Sequence, residues 1–212
     1  MRVALVFALL VAVAAGSARA SHLDPRKEIN AVDQARARAM LVRKSDLGGT
    51  WEAAETGNVG HLTCTGWDQS SLTVTGEAGP RAWASLPGAF VVSQSRVYES
   101  VADANASWRR ATSAAGRKCV ATEWTRLSSS SGSRLLSMKV RPFAKVAPRT
   151  IAYHLVFLVG GQAPRASADV IALQNSRAQV ILTVATFSST PLDEIALARR
   201  VAGRMAKAMH GA

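Results

Sequence analysis

The stretch from Thr150 to Val159, "TIAYHLVFLV", decides the fold. Apolar side chains occupy both of its alternating faces, and His154 is the one residue among them that can carry a positive charge. A strand that is apolar on both faces is typical of a sheet covered on both sides. We therefore expect this strand to be central in a sheet that helices cover.

Three further apolar segments predict its neighbours in the sheet. They run from Leu135 to Val140, from Ala168 to Gln174 and from Ala178 to Ser188. Asn175-Ser176 separates the last two segments at the spacing of a tight hairpin, although the preferred glycine is missing. Four consecutive strands with short links predict antiparallel pairing.

Upstream, two further strands are predicted, at Ser71 to Thr75 and at Phe90 to Glu99. The segment "GEAGPRAWASLPG" between them predicts a loop because glycine and proline interrupt strands. Before them, Asp24 to Arg43 predicts a helix with Asp24 as its cap and Pro25 in its first turn. The apolar face predicted for this helix consists of Ile29, Val32, Ala35, Ala39 and Val42.

Two more helices are predicted. The first opens at Ser100, and Gly116 either ends it or only weakens it; its apolar face is Val101, Ala104, Trp108, Ala111 and Ala115. The run "LSSSSGS" that begins at Leu127 predicts a flexible connection. The last helix is capped by Thr190, with Asp193 and Glu194 at the positive end of its dipole. Its predicted core face is Ile195, Ala198, Val201, Ala202, Met205 and Met209.

The predicted element order is therefore α-β-β-α-β-β-β-β-α. Without alternating βαβ units, this order predicts an α+β domain with an antiparallel sheet of about five to six strands packed by helices. One such domain accounts for residues 21–212, since that length is normal for a single domain.

The first twenty residues, "MRVALVFALLVAVAAGSARA", have the order of a secretory signal peptide: a charge at Arg2, an apolar run, and small residues before Ala20. The apolar run is short against the roughly twenty residues that cross a bilayer. We expect cleavage after Ala20 and a secreted or extracytoplasmic protein without a transmembrane segment in its mature chain.

The chain is basic. Of its 26 Lys and Arg residues, Arg2 and Arg19 lie in the leader, which leaves 24 against 14 acidic residues and a net charge of +10. This charge favours an anionic envelope polymer or lipid surface as a partner, or it serves solubility alone. Nucleic acid is a less favoured partner, because few aromatic residues lie among the cations. Candidate residues for an anionic surface are Arg109, Arg110, Arg117, Lys118, Lys139, Arg141, Arg199, Arg200 and Arg204.

The only two cysteines, Cys64 and Cys119, predict one disulfide in an exported chain. A bridge over this span would stabilise the fold by roughly 4 kcal/mol in the chain-entropy model. The alternative is a reactive Cys119 whose thiolate Arg117 and Lys118 would favour.

Motifs of catalysis are missing from the sequence. It contains no GxSxG, HExxH, Walker loop or GxGxxG, and no His or Cys residues at metal-ligand spacing. We therefore expect a non-enzymatic protein without catalytic residues, cofactor or metal. A hydrolase built from His154 and a loop serine is the alternative.

Four residues are candidates for a ligand cleft: Trp51, Trp67, Trp83 and His154. The three tryptophans lie in glycine-rich loops, where a large ring can line a cleft for a small molecule or lipid. They can equally plug the ends of the sheet. His154 either lines the cleft or is a hydrogen-bonded core histidine.

Four segments resemble a known group of proteins: "MLVRKSDLGGTW", "VVSQSRVYESVADANASWRR" followed by a cysteine, "APRTIAYHLVFLV" and "LARRVAGRMAKAM". They resemble small secreted and lipid-anchored proteins of actinobacteria. More distantly, they are similar to the extracellular sensor domain of mycobacterial Ser/Thr protein kinase H and to LpqN-type (PsbP-like) lipoproteins.

The resemblance implies an antiparallel sheet flanked by helices, with a cleft for an unidentified extracellular ligand. It also implies a ligand-binding or sensor-like domain, although a signalling role is not carried over from the kinase. One structural disulfide is implied, where the sensor domain of the kinase is expected to have two. No ligand-binding residue is defined well enough to be carried over to this chain.

Overall fold

A computed structural model describes residues 23–56, 67–85, 88–130, 132–159, 165–186 and 192–210. The predicted signal peptide, its cleavage site and Cys64 lie outside the described residues. Within those ranges, no helix is both long and apolar enough to cross a membrane.

The described chain is an α+β fold, as predicted. Its elements are β1 (Arg26–Lys27), α1 (Ala31–Met40), β2 (Glu52–Ala54), β3 (Thr73–Ser85), β4 (Ala89–Tyr98), α2 (Val101–Thr112), α3 (Ala114–Ser130), β5 (Ser133–Arg141), β6 (Arg149–Val159), β7 (Arg165–Asn175), β8 (Ala178–Thr186) and α4 (Glu194–His210). A short 3₁₀ turn, Lys44–Asp46, follows α1.

The strands of the described residues form one sheet of eight strands in the order β1-β3-β4-β8-β7-β6-β5, with β2 paired to β3. Every pairing is antiparallel except that of β1 with β3. The prediction of five to six strands was too low because β1 and β2 are too short to show a periodic pattern. The predicted central strand, β6, is an interior strand next to the edge strand β5.

Helices cover both faces of the sheet. On one face, the largest core cluster joins α1 and α4 to the sheet, through Met40, Leu197, Val201 and Met205. On the other face, Trp124 of α3 packs over β6, with its ring 5.9 Å from that of Phe157. α2 covers a third cluster around Tyr98 and Ala104.

β3 is longer than the predicted strand because it absorbs the glycines and the proline that predicted a loop. Two register shifts lie in its pairing with β4, at Val74/Gly76 and Ala78/Arg81, and the Gly79–Pro80 peptide is cis. Such bulges carry extra residues without ending a strand. The first bulge turns Thr75 toward α1, where its hydroxyl donates to Asp33 Oδ2 at 2.6 Å.

The first helix differs most from its prediction. It begins after Asn30, whose side chain accepts from the Asp33 backbone N–H, and the preceding residues form β1. Ile29 and Val32 are 47% and 60% exposed, whereas Asp33 is 3% exposed. The apolar pattern failed because this helix buries a charged residue at the centre of its inner face.

Asp33 is held by a network that joins distant parts of the chain. Arg177, in the β7–β8 turn, donates to both carboxylate oxygens at 2.7 and 2.8 Å, and Arg36 donates to Oδ1 at 2.7 Å. Burial alone would raise the pKa of Asp33. The hydrogen bonds from Arg177, Thr75 and Arg36 outweigh it and hold that pKa well below its usual range.

Two helix boundaries also differ from prediction. Ser100 caps α2 as predicted, but the break falls at Ser113 rather than at Gly116. α3 then continues to Ser130, so most of the predicted flexible connection from Leu127 to Ser133 is helical. Gly116 lies inside α3 and is buried, and a Cβ at this position would clash with the Arg110 carbonyl oxygen, so the close approach of α2 and α3 requires a glycine.

Cys119 is 4% exposed on α3, and the described part of the chain contains no free cysteine. Because its predicted partner Cys64 lies outside the described residues, the Cys64–Cys119 disulfide stays a prediction.

Candidate functional site

Four ionisable side chains from four elements meet near the β5 edge of the sheet. They are Arg141 on β5, His154 on β6, Asp169 on β7 and Glu194, the first residue of α4; we call them the charged cluster. The antiparallel register places His154 directly opposite Asp169. The cluster is therefore built mainly on paired strands, which hold side chains more rigidly than loops do.

Asp169 is the shared acceptor of the cluster. Its Oδ1 lies 3.0 Å from His154 Nδ1 and 2.9 Å from Arg141 Nε. The Arg141 contact is an ion pair without hydrogen-bond geometry, so the buried Nε–H donates to no acceptor in the described structure. Arg141 Nη2 donates to Glu194 Oε2, and its guanidinium lies 5.1 Å from the centroid of the Phe143 ring.

Glu194 is the residue of this site whose pKa is strongly shifted. Burial raises its pKa most, and the neighbouring Asp169 carboxylate raises it further. Arg141 opposes both effects, but the pKa still reaches about 7. Burial and a second carboxylate thus outweigh the helix dipole, which favours an ionised acid at this position. The Glu194 carboxyl group therefore remains partly protonated at neutral pH.

The cluster is open to solvent at one side. The His154 side chain is 43% exposed, against 18% for both Asp169 and Glu194. With Nδ1 bonded to Asp169, Nε2 is the ring atom left for another partner. Lys139 lies directly opposite His154 on β5 and is exposed.

A row of small side chains runs beside the cluster on the same face. The pairing register aligns Ser137, Val156, Ser167 and Thr186 across four strands. All four are partly exposed. The cluster therefore borders a row of three hydroxyl groups, those of Ser137, Ser167 and Thr186, which Val156 interrupts.

The four predicted cleft residues do not lie together. Trp51 is 6% exposed in the core of the α1 and α4 face, and Trp83 packs against that core while its Nε1 donates to the Val42 carbonyl at 3.1 Å. Trp67 is partly exposed before β3. These positions suit the packing alternative for Trp51 and Trp83, while His154 lies toward the opposite edge of the sheet.

The nine predicted surface cations divide into three groups. Arg141 and Arg204 are committed to ion pairs, with Glu194 and Asp169 and with Asp46 respectively. Arg110, Arg117 and Arg200 donate to backbone carbonyls. Arg200 is exposed as well, as are the remaining four: Arg109, Lys118, Lys139 and Arg199.

The sequence analysis does not predict Asp169 and Glu194 as site residues. Asp169 gave a usable signal, because it is the one charged residue inside the apolar run from Ala168 to Leu173. A carboxylate inside such a strand needs a partner, and His154 on the adjacent strand is the nearest candidate. Glu194 gave no such signal, since acids are common in the first turn of any helix.

The opposite edge of the sheet carries a shallow groove of about 330 Å³. Its walls are Gln34, Arg38, Leu41 and the stretch from Glu77 to Arg81. Gln34 fixes this stretch by donating to the Glu77 carbonyl at 2.8 Å and accepting from its N–H at 3.1 Å. No group of three or more His, Cys, Asp or Glu side chains in the described residues has the arrangement of a metal site.

Comparisons with known proteins add a distant likeness. No family model matches the chain, and no curated protein matches it. Among solved structures, the extracellular domain of PknH from Mycobacterium tuberculosis is similar at 11% identity and a TM-score of 0.47, over 84% of this chain and 96% of that one.

A second solved structure is similar, a putative uncharacterized protein (Rv0999 ortholog) from Mycobacterium smegmatis. The identity is 14% and the TM-score 0.41, over 83% of this chain and 97% of that one. The predicted distant resemblance to the extracellular domain of the kinase is confirmed in this coarse sense. The likeness does not identify a ligand or a site.

Proposed function

We propose that this protein is an exported, non-enzymatic binding domain that holds a small anionic ligand on the sheet face at His154. The observation that supports this function is the charged cluster itself. Partly exposed ionisable groups from four elements, one with a strongly raised pKa, are typical of functional sites rather than of packing. The sensor-like role implied by the segment resemblance is consistent with such a domain.

The charges at this face favour an anion with a carboxylate or phosphate group. Lys139 and Arg141 supply two positive charges. Asp169 and Glu194 together carry less than two negative charges at neutral pH because the pKa of Glu194 is about 7. The exposed Lys139 ammonium and His154 ring would contact the anionic group, and the hydroxyls of Ser137, Ser167 and Thr186 would accept hydrogen bonds from the rest of the ligand.

Native mass spectrometry of the protein purified from its own secretion medium tests this function. We expect a bound small molecule on the wild-type protein and its loss from the Lys139→Ala, His154→Ala double variant. The matched control is Arg134→Ala, which removes an exposed cation from the same strand β5. A ligand retained by the double variant, or lost equally from the control, would contradict binding at His154.

A hydrolase is the second candidate function, and the 3.0 Å contact between His154 and Asp169 favours it. A carboxylate that orients a histidine is half of a general-base arrangement. Ser137 would supply the nucleophile, since it lies on the same face of the sheet, two pairing rows from His154. Ester hydrolysis that disappears in both Ser137→Ala and His154→Ala would establish this function in place of simple binding.

A further inference from the structure

The outer surface of α4 is strongly basic where it meets the 3₁₀ turn after α1. Five exposed cations lie there: Arg43, Lys44, Arg199, Arg200 and Lys207; we call them the basic surface. Arg200 Nη1 donates to the Asp46 carbonyl, which joins the turn to the helix. The cations of both elements therefore form one continuous surface.

The acid inside this surface is already neutralised. Asp46 is 6% exposed and accepts from both terminal nitrogens of Arg204 at 2.7 Å. Burial would raise the pKa of Asp46, but Arg204 and the Arg43 backbone N–H hold it below its usual value. Asp193, an exposed acid of the α4 region, lies six residues before Arg199, roughly 9 Å along the helix axis. Asp46 therefore does not neutralise the five exposed cations, because its charge is paired with Arg204.

Gly203 leaves a gap in the middle of this surface. It lies four residues after Arg199 and four before Lys207, so the three positions share one side of the helix. A glycine inside a helix costs about 1 kcal/mol relative to alanine. No atom lies within 4 Å of the position of a Gly203 Cβ, so packing within the protein does not require a glycine there.

We propose that the basic surface binds a linear polyanion whose chain passes over Gly203 between Arg199 and Lys207. The two cations are eight residues apart, roughly 12 Å along the helix axis, so they contact separate charges of one chain. The missing side chain at Gly203 lets the polymer approach the helix backbone. A lipid surface fits less well, because interfacial helices present large apolar side chains beside their cations, and Gly203 presents none.

This binding is independent of the site at His154, so the two proposals fail separately. The test measures retention of the mature protein on immobilised linear polyphosphate and polygalacturonate, which separates phosphate from carboxylate recognition. Vesicles of phosphatidylglycerol and phosphatidylcholine form a third arm. We expect binding to at least one polymer and a steep loss of affinity with salt, because counterions are released.

The charge-reversal variant Arg199→Glu, Lys207→Glu should bind at least tenfold more weakly. The matched control Arg109→Glu, Lys118→Glu changes the charge equally on α2 and α3, on the other face of the sheet, and should bind within about twofold of wild type. Gly203→Leu should weaken binding without changing the charge. His154→Ala should bind the polymer normally.

Three results would overturn the proposal. They are the absence of salt-dependent binding to both polymers, an equal loss in both charge-reversal variants, and binding to vesicles alone. Circular dichroism of each variant, compared with wild type, ensures that a loss of binding is not a loss of folding.

Discussion

Two carboxylates of this protein, Asp33 and Glu194, both pair with arginine, yet their pKa values are shifted in opposite directions. Asp33 lies at 3% exposure among Arg177, Arg36 and Thr75, and its pKa is held well below the usual range. Glu194 shares one guanidinium, that of Arg141, with Asp169, and its pKa is raised to about 7. Burial raises the pKa at both sites, so the number of donors for each carboxylate decides the result.

This difference in the number of donors distinguishes a structural ion-pair network from a candidate binding site. At Asp33, four side-chain hydrogen bonds from Arg177, Arg36 and Thr75 occupy both oxygens. At the charged cluster, two carboxylates depend on one arginine, a Nε–H donates to no acceptor, and His154 is 43% exposed. A ligand can bind only where hydrogen-bonding groups are still unused. The charged cluster has such groups and the Asp33 network does not, so the charged cluster is the candidate site.

The largest effect is expected from Asp33→Asn. The change leaves the Arg177 guanidinium partly buried without its counter-charge, and breaking such a pair costs about 3–5 kcal/mol. Urea unfolding measures the loss of unfolding free energy. The control is Glu28→Gln, which removes an exposed carboxylate just before α1 and should change that free energy by less than about 0.5 kcal/mol.

The same network predicts a loss of stability in acid. The pKa of Asp33 is lower in the folded than in the unfolded state, so its stabilisation is complete above the unfolded pKa of 3.8 and is lost as pH falls below it. Acid unfolding of wild type should therefore be steeper below pH 4 than that of Asp33→Asn. Identical acid transitions of wild type and Asp33→Asn would show that the ionised Asp33 does not stabilise the fold.

Gly76→Ala should disrupt this network although it replaces no charged residue. A Cβ at Gly76 would lie 2.2 Å from the Asp33 carbonyl oxygen and 2.4 Å from its carbon, so α1 must move away from β3. We expect a loss of about 3 kcal/mol, at the upper end of the effects of overpacking. The matched glycine is Gly203, where alanine meets no atom and should stabilise the fold instead, by up to about 1 kcal/mol.

Glu194→Gln should have the opposite sign to Asp33→Asn. The folded pKa of about 7 lies above the unfolded value of 4.5, so the folded state binds more protons between these values. Wild-type stability should therefore fall as pH rises from about 5 to 7. A neutral amide removes this loss, and we expect Glu194→Gln to be more stable than wild type at pH 8, by about 1–2 kcal/mol.

Asp193→Asn is the control for the pH dependence. Its exposed side chain accepts from the Ala196 N–H at 2.9 Å, and asparagine caps helices equally well. Thermal melts at intervals from pH 5 to 8 should show the wild-type slope in this control and a reduced slope in Glu194→Gln. Equal slopes in both variants would place the titrating group elsewhere.

The sequence predicted one half of the fold more accurately than the other. β5 to β8 lie within a few residues of their predicted bounds, since long apolar strands with short links have few alternatives. The first half differs because β3 contains Gly76, Gly79 and Pro80, and because α1 buries Asp33. In both places a tertiary contact, between β3 and α1, overrides the local pattern.

The candidate site was predicted from one residue only. His154 is predicted as a site residue because it is a histidine inside an apolar strand. Its partners come from β5, β7 and α4, which the pattern of β6 does not identify. Their pairing depends on strand register across residues 142–148 and 160–164, whose lengths fix no register by themselves. Periodicity finds elements, whereas a site of this kind depends on which distant residues the sheet aligns.

The smallest expected effect tests the turn that places Arg177 beside Asp33. Asn175 pairs with Ala178, so the hairpin loop is Ser176-Arg177, one residue later than predicted. Ser176 has a φ of 53°, a region that favours glycine. Ser176→Gly should relieve that strain and, after the added entropy of the unfolded chain, stabilise the fold by about 0.5–1 kcal/mol. The gain in unfolding free energy should persist when Ser176→Gly is combined with Asp33→Asn, since the strain belongs to the backbone. Urea unfolding of the double variant measures this gain. If the gain vanishes, the salt bridge between Arg177 and Asp33 holds the turn in its strained form.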